Sequence, residues 1–462
     1  MSSWKPWLVE SSHLKYRGIV EAIEADLKEG RIQPGDRLPP QRTIAEVLGV
    51  DLTTVTRAFN EARRRGLVEA SAGRGTFIRR RIDDGRILGL GAPPAVDLSM
   101  NIPPQPASAN LKRLIPETIA NLLSEEHGML HLHYQESTGS DADRAAAAAW
   151  LARRIDQVRP SSIVLASGAQ SALYAICSCL LTKGDAIAAG CVTYPGLKAV
   201  AQQQGLALRP LAMDDKGIIP QAFEACCAKA LPKALYVIPA IDNPTTATLS
   251  DERRREIVAI ARRYGVAIIE DDPYSVLQFD ALTPLAALAP DLTWHIATLS
   301  KCATPALRIA YVVAPGAAQA MRLAGAIRAI NLMVPPINAA VASRWISTGI
   351  VDDLTAAIRD ENIARQRLAK TVLGDTNIAA DRCGHHIWLK MPAHWRAADF
   401  VDHAGRSGIS VVPSSAFAIG AEEPDALRLS LGVAPDREAL VDALKQVANL
   451  LIRPSVAVKA IV

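Results

Sequence analysis

Residues 298–308 read TLSKCATPALR, and they lie between the apolar runs HIA at 295–297 and IAYVVA at 309–314. Two short apolar runs separated by polar turn chemistry form the pattern of buried strands joined by a loop, and Lys301 and Arg308 fall in that loop. Outward from it the same texture repeats. SIVLAS, AQSALYAICSCLL, DAIAAG, ALYVIPA, RRREIVAIARRYG and VAIIED alternate short apolar runs with longer amphipathic stretches. Continuous buried strands alternating with helices predict an α/β fold with a mainly parallel sheet flanked by helices. Ligands of such sheets gather at the carboxyl ends of the strands.

The polar residues at those ends form an ordered set. Ser167, Gly168, Ala169 and Gln170 follow SIVLA and open a helix, where backbone N–H groups and the helix dipole can hold a phosphate. Tyr194 follows the next strand and can lay its ring against a flat cofactor. Asn243 comes after ALYVIPA, Asp271 and Tyr274 after VAII, and Thr298 and Lys301 after HIA. Singly, each has a bland reading as a turn or surface residue; as an ordered set they supply the groups that pyridoxal 5'-phosphate chemistry requires. Lys301 is the amine for the Schiff base, which calls for a partly desolvated pocket near positive charge. Arg308 supplies that charge and clamps the phosphate, helped by Thr298 and the Gly168 loop. Asp271 is the buried carboxylate for the pyridine nitrogen, with the neighbouring Asp272 an open alternative. Tyr274 and Asn243 fit as donors to the ring oxygen.

A chain of 462 residues suggests two or three domains, and its composition is that of a globular protein. The opening MSSWKPWLVESSHLKYRG holds no secretion-type apolar run and no long uncharged apolar segment follows, so the expected compartment is the cytoplasm, with no membrane association. Seven cysteines without CxxC spacing argue against a disulfide framework or a zinc site, and no metal is expected. The net charge of +4 is unevenly distributed: residues 1–81 hold 15 Lys and Arg against 10 Asp and Glu, leaving 36 against 37 for the rest. Excess positive charge confined to a small head is the electrostatic footprint of a nucleic-acid binder.

The pattern inside the head agrees. YRGIVEAIEADLKEG and QRTIAEVLGV have helical spacing, and Asp51, Thr53 and Thr54 offer capping oxygens ahead of a third helix, TVTRAFNEARRRG. Short helices joined by a tight turn, the last rich in Thr, Asn and Arg, suit a major groove of double-stranded DNA. LVEASAGRGTFIRR reads as a two-stranded wing with Arg74 at its tip.

These head residues, IQPGDRLPPQRTIAEVLGV, TTVTRAF and RRRGLVEASAGRGTFI, resemble the GntR-type winged helix-turn-helix. The likeness implies DNA contacts from Arg42, Thr53, Thr54, Arg57 and Arg74. SGAQ, TYPG, NPTT, DDPY, SK with an arginine seven residues on, and ALRLSLG resemble a fold type I, class I aminotransferase with a small C-terminal subdomain. By that likeness Arg428 grips a ligand carboxylate, and Tyr134 reaches the phosphate of a neighbouring subunit, which implies a homodimer. Thr246, Ala306 and Ala310 stand where the aminotransferase pattern has glycine. The two likenesses together are those of the MocR-type regulators. They imply a winged helix at 1–80, a linker at 81–95 and a cofactor-binding effector domain at 96–455. They further imply that the domain senses an amine, an amino acid or the cofactor itself. The rival reading is a working aminotransferase that carries a DNA-binding head.

Overall fold

The computed structural model describes Trp4, Trp7 and residues 15–29, 31–32, 36–64, 67–71, 75–78, 96–156, 158–374, 376–420 and 424–452. The chain divides into two compact units, Met1–Ala92 and Pro93–Val462.

In the first unit α1 (Lys15–Lys28), α2 (Gln41–Leu48) and α3 (Leu52–Arg64) precede an antiparallel hairpin of β1 (Val68–Ser71) and β2 (Gly75–Ile78). Ile19, Ile23, Ile44, Val55, Phe59 and Val68 close one buried core among them. Gly49 ends α2 in the left-handed region, at φ 60°, where its N–H reaches back to the carbonyls of Ala45 and Glu46. Of the capping candidates Asp51, Thr53 and Thr54, only Asp51 precedes α3, which begins at Leu52. The Asp51 carbonyl accepts the Thr54 N–H at 2.9 Å, so Thr53 and Thr54 lie inside the first turn. The linker 81–95, the wing-tip Arg74 and the chain beyond Ile452 lie outside the described residues.

The second unit opens with β3 (Val96–Asp97), α4 (Leu111–Ser124) and α5 (Asp141–Leu151). It continues through β4 (Ile163–Ala166), α6 (Ala169–Leu180), β5 (Ala186–Gly190), α7 (Pro195–Gln204) and β6 (Ala207–Leu211). A short hairpin of β7 (Met213–Asp214) and β8 (Gly217–Ile218) leads to α8 (Pro220–Lys229), β9 (Ala234–Val237), α9 (Asp251–Tyr264) and β10 (Ala267–Asp272). Next come α10 (Leu285–Leu288), β11 (Thr293–Thr298), β12 (Ala310–Val313), α11 (Ala317–Asn331), α12 (Pro336–Ser347) and α13 (Ile350–Leu373). The last elements are β13 (Ile378–Ala380), β14 (His386–Lys390), α14 (Ala397–Arg406), β15 (Ile409–Ser410), β16 (Val412–Pro413), β17 (Ala426–Ser430) and α15 (Arg437–Ile452).

Seven strands form one sheet in the order β4-β12-β11-β10-β9-β5-β6. β12 runs antiparallel to β11 and β4, and the remaining pairs are parallel. Every residue of β4, β9 and β11 is buried, which is why these strands read as unbroken apolar runs and not as alternation. A smaller antiparallel sheet, β13-β14-β17-β16, packs Leu427 and Leu429 against Phe400, Leu440 and Leu444 of α14 and α15. This subdomain is not built from the C-terminal part alone. β3 pairs in parallel with β15, and Leu98, 1% exposed, buries its side chain in the same core. Among the described residues no helix is long and apolar enough to cross a membrane, and no group of three or more His, Cys, Asp or Glu side chains could hold a metal ion.

Candidate functional site

The carboxyl ends of β4, β10 and β11 deliver most of the candidate residues. β11 ends at Thr298, and in the turn that follows the Lys301 Nζ donates to the Asn101 carbonyl. Burial lowers the Lys301 pKa to about 8, with Arg428 and Arg308 adding to the effect and Asp271 opposing it. An amine so placed is about half neutral near pH 8, and the neutral form is the one that acts as a nucleophile.

Asp271 and Asp272 both lie on β10, so their side chains leave the strand on opposite faces. Asp271 Oδ2 accepts the Tyr236 hydroxyl at 2.7 Å, while its buried Oδ1 has no protein partner. Burial raises the Asp271 pKa to about 6. Asp272 accepts Arg154 at 2.5 Å and also the Ser275 hydroxyl. Burial alone would raise Asp272, but the Arg154 guanidinium overrides it and holds the carboxyl below its ordinary range. One aspartate is committed to an ion pair; the other keeps one oxygen without a protein partner.

Gly168, at φ 87°, stands at the N-terminus of α6, whose first turn is Ala169 and Gln170. Arg308 Nη2 donates to the Ser167 carbonyl at 3.4 Å, and a methyl group on Gly168 would sit 2.9 Å from that nitrogen. The guanidinium thus lies against a helix start that only glycine leaves open. Thr298 is 2% exposed and its hydroxyl donates to the Ile309 carbonyl at 3.0 Å, so it ties the loop together. Sequence reasoning gave Ser300 no role beyond the SK pair; its half-buried hydroxyl lies 2.9 Å from that of Thr298. Sequence reasoning missed Asn331, whose Nδ2 donates to Ser167 Oγ at 2.5 Å.

Tyr194 precedes α7 with its ring folded over Gly196, where a methyl group would come within 2.1 Å of the ring. Gln170 Nε2 donates to the Gly196 carbonyl at 3.1 Å and joins the two loops. Arg428, on β17, is 7% exposed and donates through Nη1 to Asn243 Oδ1 at 3.0 Å and through Nη2 to the Ser99 carbonyl. Its Nε is buried without a partner, and its guanidinium lies 5.1 Å from the centre of the Phe417 ring. The Tyr274 hydroxyl accepts Asn101 Nδ2 at 2.8 Å. Asn101 gave no signal in the sequence because it meets Tyr274 across 173 residues. Tyr236 was hidden inside an apolar run. His386, the first residue of β14, and His385 before it pack their rings 5.9 Å from that of Tyr274. Tyr134 is 82% exposed, beside Met333 and Pro336. Of the three glycine replacements, only Thr246 adopts the left-handed region, at φ 65°.

In the first unit Arg42 on α2 and Thr53 and Arg57 on α3 are exposed, and Thr54 is half-buried. The Arg57 guanidinium lies 5.0 Å from the centre of the Tyr16 ring.

Residues 93–447 match the family model for aminotransferase class I and II, and residues 15–78 match bacterial regulatory proteins of the gntR family. The chain is 30% identical over 450 residues to the uncharacterized HTH-type transcriptional regulator YdeF of Bacillus subtilis, covering 97% of each. It is 28% identical over 374 residues to the HTH-type pyridoxine biosynthesis transcriptional regulator PdxR of Corynebacterium glutamicum, covering 77% of this chain and 78% of that one. Kynurenine aminotransferase of Pyrococcus horikoshii has the same fold as the body. Its TM-score is 0.71 at 22% identity, over 77% of this chain and 90% of that one. The unpartnered Asp271 oxygen, the depressed lysine and the glycine-backed arginine fit pyridoxal phosphate, the cofactor of this family. By its body the chain belongs to the class I and II aminotransferase family and by its head to the gntR family, the pairing that makes it a MocR-type, DNA-binding transcriptional regulator.

Proposed function

We propose that the body, residues 96–455, is a sensor for a small amine that carries a carboxylate, and that the head, residues 1–80, reports its occupancy on DNA through the linker 81–95. When bound, pyridoxal phosphate supplies an aldehyde for an amine and an electron-withdrawing ring. Lys301 holds that aldehyde end; Asp271 offers its free oxygen to the ring nitrogen. The Ser167–Gln170 turn, Thr298 and Arg308 would bind the phosphate, with Ser300 close by, and Tyr194 would cover the ring. Asn243 and Tyr274 lie toward its oxygen, and Arg428 takes the ligand carboxylate. The observation that carries this reading is the buried Arg428, with an unpartnered Nε, close enough to the Lys301 amine to depress it. Two such groups in one site select a ligand with both an amine and a carboxylate. Arg42, Thr53, Thr54, Arg57 and Arg74 contact DNA in this reading, and Tyr134 completes the phosphate site of a second subunit in a homodimer.

Borohydride reduction of the holoprotein followed by peptide mapping, beside absorbance titrations with a panel of amino acids, tests it. The expected label is on Lys301, and amino acids should change the spectrum of wild type far more than that of Arg428→Ala. A label on another lysine, or equal responses in the two proteins, contradicts the reading. Sustained turnover with an amino donor and a keto acid would mark a working aminotransferase instead.

A further inference from the structure

The chain that enters the body from the head side runs straight through the ligand site. Val96 N–H donates to the Gly408 carbonyl at 3.0 Å and Leu98 N–H to that of Ser410 at 2.8 Å, while the Leu98 carbonyl accepts Ser430 N–H at 2.8 Å. Leu98 is therefore stitched between β15 and β17, and β17 is the strand that carries Arg428. The next residues turn inward. Asp97 Oδ1 accepts the Ser99 N–H at 2.8 Å and its hydroxyl at 2.6 Å, which fixes the turn. The Ser99 carbonyl then accepts Arg428 Nη2, and the Asn101 carbonyl accepts the Lys301 amine. Asn101 Nδ2 bonds the Tyr274 hydroxyl at 2.8 Å and lies 3.3 Å from His386 Nδ1. At the far end the Ile102 carbonyl lies close against Gly432, where a methyl group would come within 1.9 Å of it.

We propose that residues 99–101 are an internal competitor for the ligand site, displaced by the carboxylate of the effector and not by an amine alone. This rests on the sensor reading above and adds a contact that the carboxylate must break, with the amine at Lys301 as the second requirement for a response. Arg428 Nη1 is held by Asn243 and Nε is unpartnered, so the guanidinium edge open to a carboxylate is Nε with Nη2. The Ser99 carbonyl occupies Nη2. A carboxylate forms the stronger, charge-assisted and bidentate bond, so it takes that nitrogen and the Ser99 carbonyl gives way. Only a few residues separate Ser99 from residue 95, where the linker to the head ends. A ligand with equal affinity for both arrangements shifts nothing; a carboxylate distinguishes them because one arrangement already fills its site.

Hydrogen–deuterium exchange on the full-length, cofactor-loaded protein tests this, with succinate as a carboxylate lacking an amine and methylamine as an amine lacking a carboxylate. Calorimetry measures binding of each. Succinate at saturation should speed exchange of the amides at 96–102 several-fold, and methylamine should bind without doing so. Asn101→Ala, which removes the bonds to Tyr274 and His386, should lower the half-saturating succinate concentration several-fold. Succinate binding with unchanged exchange over 96–102, or a higher half-saturating concentration in Asn101→Ala, overturns the inference alone. If neither compound binds, the sensor reading falls together with it.

Discussion

Asp271 and Asp272 are neighbours in sequence with opposite electrostatic fates, and at this scale the site was only half legible. The residues named both as candidates for the ring nitrogen, because the deciding partner, Arg154, lies 118 residues from Asp272. The structure separates them by strand alternation, and stability should separate them as well. Asp272 sits below its ordinary pKa, so its contribution is present above pH about 4 and is lost as the pH falls below that. Asp272→Asn strands the buried Arg154 charge and should cost about 3 kcal/mol in urea unfolding at pH 7. Asp271 has the reverse sign. Its pKa is raised to about 6, so burying its charge weakens the apoprotein as the pH climbs from about 4 through 6. Asp271→Asn should therefore leave apoprotein stability at pH 7 unreduced while sharply weakening cofactor affinity. Equal destabilisation by the two substitutions would contradict these assignments.

At the scale of elements, the long apolar runs identified the sheet, and their ends supplied the candidate residues, because a parallel strand buried on both faces cannot hide its composition. The short elements escaped. β3 has two residues and no periodicity to read, and its place in the smaller subdomain follows from where Leu98 finds a core. Capping likewise depends on where a helix starts, so the sequence offered Asp51, Thr53 and Thr54 ahead of α3 and only Asp51 lies there. The N-terminus of α6 offers the clearest test of an element acting as a ligand site. Gly168→Ala adds a methyl group 2.9 Å from Arg308 Nη2 and places a side chain at φ 87°. The helix interior is untouched, so circular dichroism should be nearly unchanged. Affinity for pyridoxal phosphate should drop at least about tenfold, which corresponds to about 1.4 kcal/mol. Unaltered affinity would remove the phosphate from this turn.

For the whole molecule, charge and pattern divided a basic head from a nearly neutral body before any contact was visible, since net charge per segment needs no structure. What the sequence did not hold was where the first residues of the body lie. They bond Lys301 and Arg428, an arrangement that depends on pairings across hundreds of positions. The central claim is that amine sensing in the body alters DNA binding by the head. Its most direct test is a fluorescence-anisotropy titration of DNA selected by the protein from a random pool. The holoprotein is titrated with and without an amino acid that changes its spectrum, beside Lys301→Ala. The wild-type Kd should shift about tenfold on adding the amino acid, within the usual range of coupling between sites. Lys301→Ala should bind the DNA with the wild-type basal Kd and show no shift. A wild-type Kd indifferent to the amino acid, or a shift that survives in Lys301→Ala, would contradict the account.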